Sequence, residues 1–363
     1  MEGCNFAPKI CRKLIQFFKN YFWKQVKKYG LKVVIIGGIG KIISMTIVFI
    51  GIPYWFWNSS LLPEESETVN IYLHPDSTIE SHINTIKFEI NSNGGYGGVM
   101  MNSMWLRGWD QRIKPGKYTI TNSVSMGEVA EMIATGKRSD VKVIVPSHRQ
   151  IEIVAGKIAL YTAADSAEVL ELIKPDSVRW KIIPNTYNMW WETDAEGAVD
   201  RLKKESEIWW TEERRAKADM QGLSIEEVVI LASIVQSETK DLSEAPTVAG
   251  LYLNRLRKGQ LLQADPTVVY AVGDFTIRRV LREHLDYVSP YNTYLNKGLP
   301  PGTIMTPEPS FIESVLNAEE HDYLYMCAEP GGTNRHVFAK RYREHVRNAK
   351  KFQKWLNSQN IYK

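Results

Sequence analysis

From Lys32 to Trp57 the chain reads K-V-V-I-I-G-G-I-G-K-I-I-S-M-T-I-V-F-I-G-I-P-Y-W-F-W, its longest apolar run. About 20 apolar residues carry a helix across the hydrocarbon of a bilayer, so this pattern predicts a membrane-crossing helix over 31–57. Lys41 interrupts it near the basic end, where a long side chain snorkels to the headgroups, and Tyr54-Trp-Phe-Trp57 forms an aromatic belt at the other end. Residues 58–69 are polar, with Pro63, Glu64, Glu65 and Glu67, and read as a linker clearing the membrane.

Past the linker the period changes. Val69 to Leu73 alternates like a strand, and Ser77 with Glu80 predicts a capped helix running to about Phe88. Gly94 to Gly98 reads as a turn, because it lacks the strand and lysine of a phosphate loop. Lys114-Pro-Gly-Lys-Tyr118 opens a second strand. Ser125 with Glu128 starts a helix that Gly136 stops, and Val141 to Val145 makes a third strand. Residues 70–144 thus form a small α/β module, for which a spacer role and glycan binding are equally open.

From Pro146 onward helical spacing dominates: 151–161, 167–173, 195–218, a helix started by the Ser224–Glu227 capping box, 248–258 closed by Gly259, and 342–357. Strand-like Tyr323 to Ala328 and His336 to Ala339 flank Gly331-Gly332 and predict a hairpin. The fold class is therefore α+β, with a single N-terminal transmembrane helix, a small α/β module and a mainly helical C-terminal domain at 145–363 that carries a β-hairpin. Trp180, Trp190, Trp191, Trp209 and Trp210 are expected in the core, with some free to line a sugar-stacking groove.

Charge assigns the sidedness. The net charge is +4, yet eight Lys or Arg (Lys9, Arg12, Lys13, Lys19, Lys24, Lys27, Lys28, Lys32) face the single acid Glu2 in the first 32 residues. Residues 1–30 are thus a basic cytosolic segment, and everything after Trp57 faces the periplasm or exterior. A cleaved signal peptide is the rival, opposed by the long basic stretch and by the lack of a small-x-small cleavage site. The rest of the chain is near neutral and has no basic, aromatic-laced patch of a nucleic-acid enzyme beyond Arg335 to Lys351, which reads as the solvated face of a helix. Cys4, Cys11 and Cys327 have no metal spacing and no disulfide framework; Cys327 reads as a packed, inert thiol in a buried strand.

Within L-A-S-I-V-Q-S-E-T (231–239), Leu231, Ile234 and Glu238 are spaced by three and four, so a carboxyl falls on an apolar stripe. Burial disfavours its ionised form and raises its pKa, which suits a general acid near neutral pH. The alternative is a solvated last-turn residue, since Lys240 and Asp241 follow. Leu262-Gln-Ala-Asp-Pro-Thr267, Tyr291-Asn-Thr-Tyr294 and Gly298-Leu-Pro-Pro-Gly302 are turn-rich stretches of the kind that carry function on a rigid scaffold.

The order of A-S-I-V-x-x-E-T (232–239), N-R-L-R-K-G (254–259), L-Q-x-D-P-T, Y-N-T-Y and G-L-P-P-G resembles the YceG-like endolytic murein transglycosylases, MltG. The likeness runs from about Val145 to the C-terminus, and an anchor followed by a LysM-like module is similar to the family plan. Two signatures differ: V-P-E-G is Val145-Pro-Ser-His148 here, and F-P-D-T-Y is Ile183-Pro-Asn-Thr-Tyr187. Gln236 stands where many relatives have a second glutamate. The resemblance implies a single-pass protein of the bacterial inner membrane with a cytoplasmic N-terminus and a periplasmic catalytic domain. It would cut nascent peptidoglycan glycan strands between MurNAc and GlcNAc, without cofactor or metal and without nucleic acid, beside the synthases of elongation or division.

Glu238 is the expected catalytic residue. Gln263, Asp265, Thr267, Tyr291, Asn292, Tyr294 and Asn254 are the expected substrate-binding residues, each open to a loop-stabilising role instead. A hydrolytic muramidase in which Asp265 or another acid activates water, and a non-catalytic peptidoglycan scaffold, are the rival functions.

Overall fold

A computed structural model describes residues 7–359, with side chains described from Gln16 onward. Glu2, Cys4 and the side chain of Cys11 lie outside the described residues. The chain divides into two compact units, Met1–Arg138 and Ser139–Lys363.

The first unit starts with helix α1 (Ala7–Tyr29), which Gly30 separates from α2 (Leu31–Thr46). A π-turn (Ile47–Gly51) joins α2 to α3 (Ile52–Asn58), and together they form a 28-residue apolar helix, Leu31–Asn58, long and apolar enough to cross a membrane and buried nowhere within the protein. Beyond it, β1 (Val69–Leu73) pairs antiparallel with β2 (Gly116–Ile120), placing Val69 opposite Ile120. Its partners are α4 (Ile79–Ser92), α5 (Gly97–Leu106) and α6 (Met126–Thr135). The alternating burial of β1 aims Val69, Ile71 and Leu73 at a core shared with Ile86, Ile90, Met100, Met104, Tyr118 and Val129.

Several local expectations hold, and some are corrected. Ser125 and Glu128 form the capping box of α6, and Gly136 closes it in the left-handed conformation at φ 76°. The cap of α4 is Thr78, whose side chain accepts from the Ser81 N–H, one residue later than the Ser77 expected. Gly97 and Gly98 open a helix that the glycine-rich pattern concealed: Gly97 lies so close to α4 that a Cβ there would meet Ile90 at 3.0 Å, a tight contact that glycine avoids. The polar stretch after Asn58 also differs from a free linker. Leu61 and Leu62 are 0% and 2% exposed within the module core, Ser60 bridges Ser125, and Trp57 packs over Gly127 with the Arg107 guanidinium 3.8 Å from its ring.

In the second unit, β3 (Asp140–Val145) does not complete the first unit's sheet. Its partner is β4 (Asn185–Trp190), a strand absent from the sequence reading, with Val143 opposite Tyr187. Helices α7 (Ile151–Tyr161), α8 (Ser166–Ile173), α9 (Asp176–Arg179) and α10 (Ala195–Trp209) accompany this ladder, and their apolar faces bury Val154, Ile158, Val169, Ala198 and Leu202. The helix expected over 195–218 breaks at Trp210 and Thr211. Thr211 caps a separate α11 (Glu212–Gln221) by accepting from the Arg214 N–H, a local bond that competes with continued helix.

A second core gathers around α12 (Ile225–Glu238), α13 (Ala245–Arg257), α14 (Asp265–Val272) and α16 (Pro309–Leu316), with α15 (Arg282–Leu285) in the loop between α14 and α16. The hairpin β5 (Tyr325–Ala328) and β6 (His336–Ala339) pairs Cys327 with Val337, and α17 (Tyr342–Ser358) closes the described chain. Cys327 is half-buried rather than fully enclosed, and burial pushes its thiol pKa up, as a packed, unreactive cysteine requires.

Candidate active site

Helix α12 is the element the site is built on. Its capping box is closed, with the Ser224 N–H donating to Glu227 and the Glu227 N–H donating to Ser224, and every residue from Val228 to Val235 is buried. A helix that is apolar on all sides belongs in the middle of a core, and its last turn carries Glu238 out to a cleft. That cleft encloses about 700 Å³ and is lined by Glu238, Thr239, Asp241, Asn334, His336 and Trp355 among others.

The Glu238 carboxyl is the most perturbed acid of the site. Burial pushes its pKa up to about 7; the Tyr252 hydroxyl, donating to Oε1 at 2.7 Å, opposes the shift, and the nearby Asp265 carboxylate adds to it. The C-terminal end of the α12 dipole also disfavours a negative charge there. Tyr252 keeps its proton, because burial and the facing carboxyl raise its own pKa well above the phenolic value. Its hydroxyl donates to Oε1, and Oε2 is the oxygen free to carry the acid proton. Glu238 is thus a weak acid at the last turn of α12, half-buried at the cleft.

Tyr252→Phe removes a hydrogen bond that favours the ionised form. The Glu238 pKa should rise further, moving the alkaline fall of activity to higher pH. An unmoved limb in the pH–rate profile of the variant would sink this coupling.

Two loops converge beside the acid. The Gln263 and Ala264 N–H groups donate to the Thr293 carbonyl and hydroxyl at 3.1 and 3.0 Å, and Thr267 shares a hydroxyl contact with Thr293 at 2.8 Å. The Tyr294 hydroxyl donates to Asp265 Oδ1 at 2.6 Å, and burial followed by this bond raises its pKa. Gln263 and Asp265 are exposed, and Gln263 is held at φ 51°, a left-handed strain that non-glycine residues rarely carry outside a functional loop.

The remaining expected residues hold the loops together. Thr267 and Asn292 are both 0% exposed; the Asn292 amide donates to the Leu285 and Tyr287 carbonyls while its oxygen accepts from the Tyr294 N–H. Tyr291 packs on Tyr270 with ring centroids 4.8 Å apart, and burial followed by its bond to Asp176 raises its pKa. The Asn254 amide donates to the His321 and Tyr323 carbonyls at 2.6 and 3.2 Å, fastening α13 to the segment before β5. The polar atoms of Thr267, Asn292 and Asn254 are engaged in this way in holding the loops together.

Gln236 has a defined task. Its amide donates to Ser147 Oγ at 3.1 Å and its oxygen accepts from the Glu308 N–H at 2.7 Å. Ser147 in turn donates to the Thr306 carbonyl, and Thr306 exchanges bonds with the His148 backbone. Val145-Pro-Ser-His148 is thereby stitched to the loop following Gly298-Leu-Pro-Pro-Gly302 and to the last turns of α12.

Three features of the cleft escaped the sequence reading. His336 donates its backbone N–H to Glu244 at 2.6 Å and pairs through Nδ1 with the other Glu244 oxygen at 3.0 Å, while Glu244 is only 4% exposed. Arg335 reaches Asp241 at 3.2 Å, and hydrogen bonds from Ser243 hold the Asp241 pKa down. Phe352 and Trp355 of α17 stack with centroids 5.8 Å apart along the cleft. The tryptophans between 180 and 210 do not border it: Trp210 is 3% exposed, and Trp209 stacks under the Arg214 guanidinium. A strand-borne histidine and a helix-borne indole carry no local motif, so only the fold could bring them here. Among the described residues, no group of His, Cys, Asp and Glu is arranged to hold a metal.

The chain is similar to several known proteins. The model of the YceG-like family matches residues 78–351. A protein of Bacillus subtilis (strain 168) named endolytic murein transglycosylase is 33% identical over 169 residues, which is 47% of this chain and 45% of that protein. A protein of the same name from Streptococcus pneumoniae (strain ATCC BAA-255 / R6) is 27% identical over 169 residues, 43% of this chain and 30% of that protein. The match thus spans less than half the length of either relative. A crystal structure of a YceG-like protein from Listeria monocytogenes aligns with a TM-score of 0.49 and 23% identity, covering 78% of this chain and 99% of that one.

Proposed function

Because this chain belongs to the YceG-like family, we propose that it is an endolytic peptidoglycan lytic transglycosylase with Glu238 as its acid and base. The substrate is a glycan strand of peptidoglycan, nascent strands in particular, and the bond cut is the one between MurNAc and the following GlcNAc. The apolar helix Leu31–Asn58 anchors the protein in the inner membrane, with the N-terminus cytoplasmic and the second unit periplasmic. Cleavage there terminates strand elongation. Residues 70–144 act as the LysM-like module of this plan.

The carrying observation is an acid whose pKa is pushed up to about 7, lining a cleft of about 700 Å³. Protonated Glu238 gives its proton to the glycosidic oxygen as the bond from that oxygen to the MurNAc anomeric carbon breaks. The carboxylate then takes the proton of the MurNAc C6 hydroxyl, whose oxygen bonds to the same carbon and closes a 1,6-anhydro ring. Proton and atoms balance with no water consumed. Tyr252 fixes which carboxyl oxygen delivers the proton. Asp265, Tyr294 and Gln263 supply contacts on one side of the acid; His336, oriented by Glu244, and Trp355 supply them on the other, the indole as a face for a sugar ring.

Mass spectrometry of the ends released from un-crosslinked strands tests this reading. Ends lighter by one water than reducing MurNAc are expected. Reducing ends would mean hydrolysis, with Asp265 or another acid activating water, and intact strands would leave a scaffold.

A further inference from the structure

The first helix has a face that, among the described residues, stands largely exposed. From Gln16 to Tyr29 no residue is buried, although Phe17, Phe18 and Tyr21 are large and apolar and stand 64%, 64% and 53% exposed. At 100° per residue, Phe17, Phe18, Tyr21, Phe22, Val26 and Tyr29 fall on one side of α1, with Gln25 and Lys28 among them, and Gln16, Lys19, Asn20, Lys24 and Lys27 fall on the other, with Trp23 among them. Between Ala7 and Tyr29 every charged residue is a lysine or arginine. The helix is too rich in cations to cross a bilayer, and its length of about 35 Å suits one lying along a surface.

We infer that α1 lies in the plane of the membrane's cytosolic face, with its aromatic side in the headgroup boundary and its lysines on anionic lipid phosphates. The inference rests on the proposed anchor, because Leu31–Asn58 brings α1 to that surface. Continuity with the anchor and charge select this occupant. A second copy of α1 would present the same cations and repel. An anionic leaflet attracts each of them. Gly30, at φ 82° with nothing within 4 Å of an added Cβ, is the joint: it ends α1 in a backbone conformation that L side chains rarely adopt and lets α2 leave in a new direction. In this arrangement α1 restrains the anchor against sliding and rotating, and places the protein preferentially where acidic lipid is dense.

The test uses the full chain with Cys4, Cys11 and Cys327 changed to serine and one new cysteine, Phe18→Cys or Asn20→Cys, carrying an environment-sensitive fluorophore. In vesicles of phosphatidylcholine with phosphatidylglycerol, the label at 18 should shift to the blue, resist iodide and be quenched by brominated acyl chains. The label at 20 should stay open to iodide. Adding Lys19→Gln, Lys24→Gln and Lys27→Gln, or omitting phosphatidylglycerol, should reverse the shift at 18. A label at 18 that remains wet in acidic vesicles, or that is shielded equally in neutral detergent and crosslinks to a second copy, overturns the inference. Carbonate extraction of the same vesicles separates the two readings. A retained chain with a wet position 18 sinks only the in-plane helix, whereas a released chain sinks the anchor and the helix with it.

Discussion

Glu238→Gln is expected to lower strand cleavage by roughly three orders of magnitude, as loss of a positioned acid and base does, and to abolish anhydro ends. Glutamine keeps the shape and the acceptor for Tyr252 but can neither give nor retrieve a proton. The wild-type rate should fall as pH rises through about 7, because the first step needs the protonated carboxyl. The same group limits stability. A folded pKa raised above the ordinary 4.5 means that its contribution is fully present below that pH and is lost as pH climbs through about 7. Above neutrality the variant should therefore be the more stable protein, by about 1–3 kcal/mol. Residual cleavage within tenfold of wild type would refute the catalytic role. Equal melting temperatures of the two proteins at pH 5 and at pH 8 would refute the buried, protonated acid.

Gly250→Ala should be the most damaging single methyl in the second unit. Helix α13 passes so close to the segment before β5 that a Cβ at 250 would stand 2.3 Å from the Glu319 carbonyl oxygen and 2.8 Å from His321 Nε2. Neither neighbour can yield cheaply. Glu319 N–H donates to the Pro246 carbonyl at 3.1 Å, His321 Nε2 pairs with the Thr247 carbonyl at 2.9 Å, and Asn254 clasps the same segment through two carbonyls. Alanine must either push α13 off this seam or break it, at about 3 kcal/mol, the upper range for an overpacked site. In a unit of this size that lowers Tm by roughly 6–12 °C. Because Tyr252 rides on the same helix, cleavage should fall as well. A thermal scan showing no loss would mean that the two backbones are not in contact.

Asn254 shows how the fold engages a polar residue that its motif alone presents as a candidate contact. N-R-L-R-K-G marks the family, and a polar residue inside such a motif reads as a ligand contact, yet its amide is consumed by two backbone carbonyls 67 and 69 residues away. Thr267 and Asn292 follow the same logic. Loops without helix or strand ladders must satisfy buried backbone groups through side chains, so some polar residues in them are structural. Trp355 and His336 show the reverse case. Neither sits in a turn-rich stretch, and each reaches the cleft only because the β5–β6 hairpin and α17 pack beside the end of α12.

What could be read from residues alone was what depends on neighbours a few positions apart. The capping boxes at Ser125 and Ser224, the stop at Gly136, the apolar span before Trp57 and the hairpin around Gly331-Gly332 are local patterns of period, cap and turn. The position of Glu238 on a buried stripe was legible for the same reason. Tertiary structure alone decided the partner of β3, the burial of Leu61 and Leu62, and the set of groups around the acid. Each of these arises from chain segments that are distant in sequence and meet only when apolar surface is removed from water. A sequence can place a carboxyl among apolar residues, but the Tyr252 hydroxyl and the Asp265 charge that set how firmly it holds its proton come from two other segments of the chain.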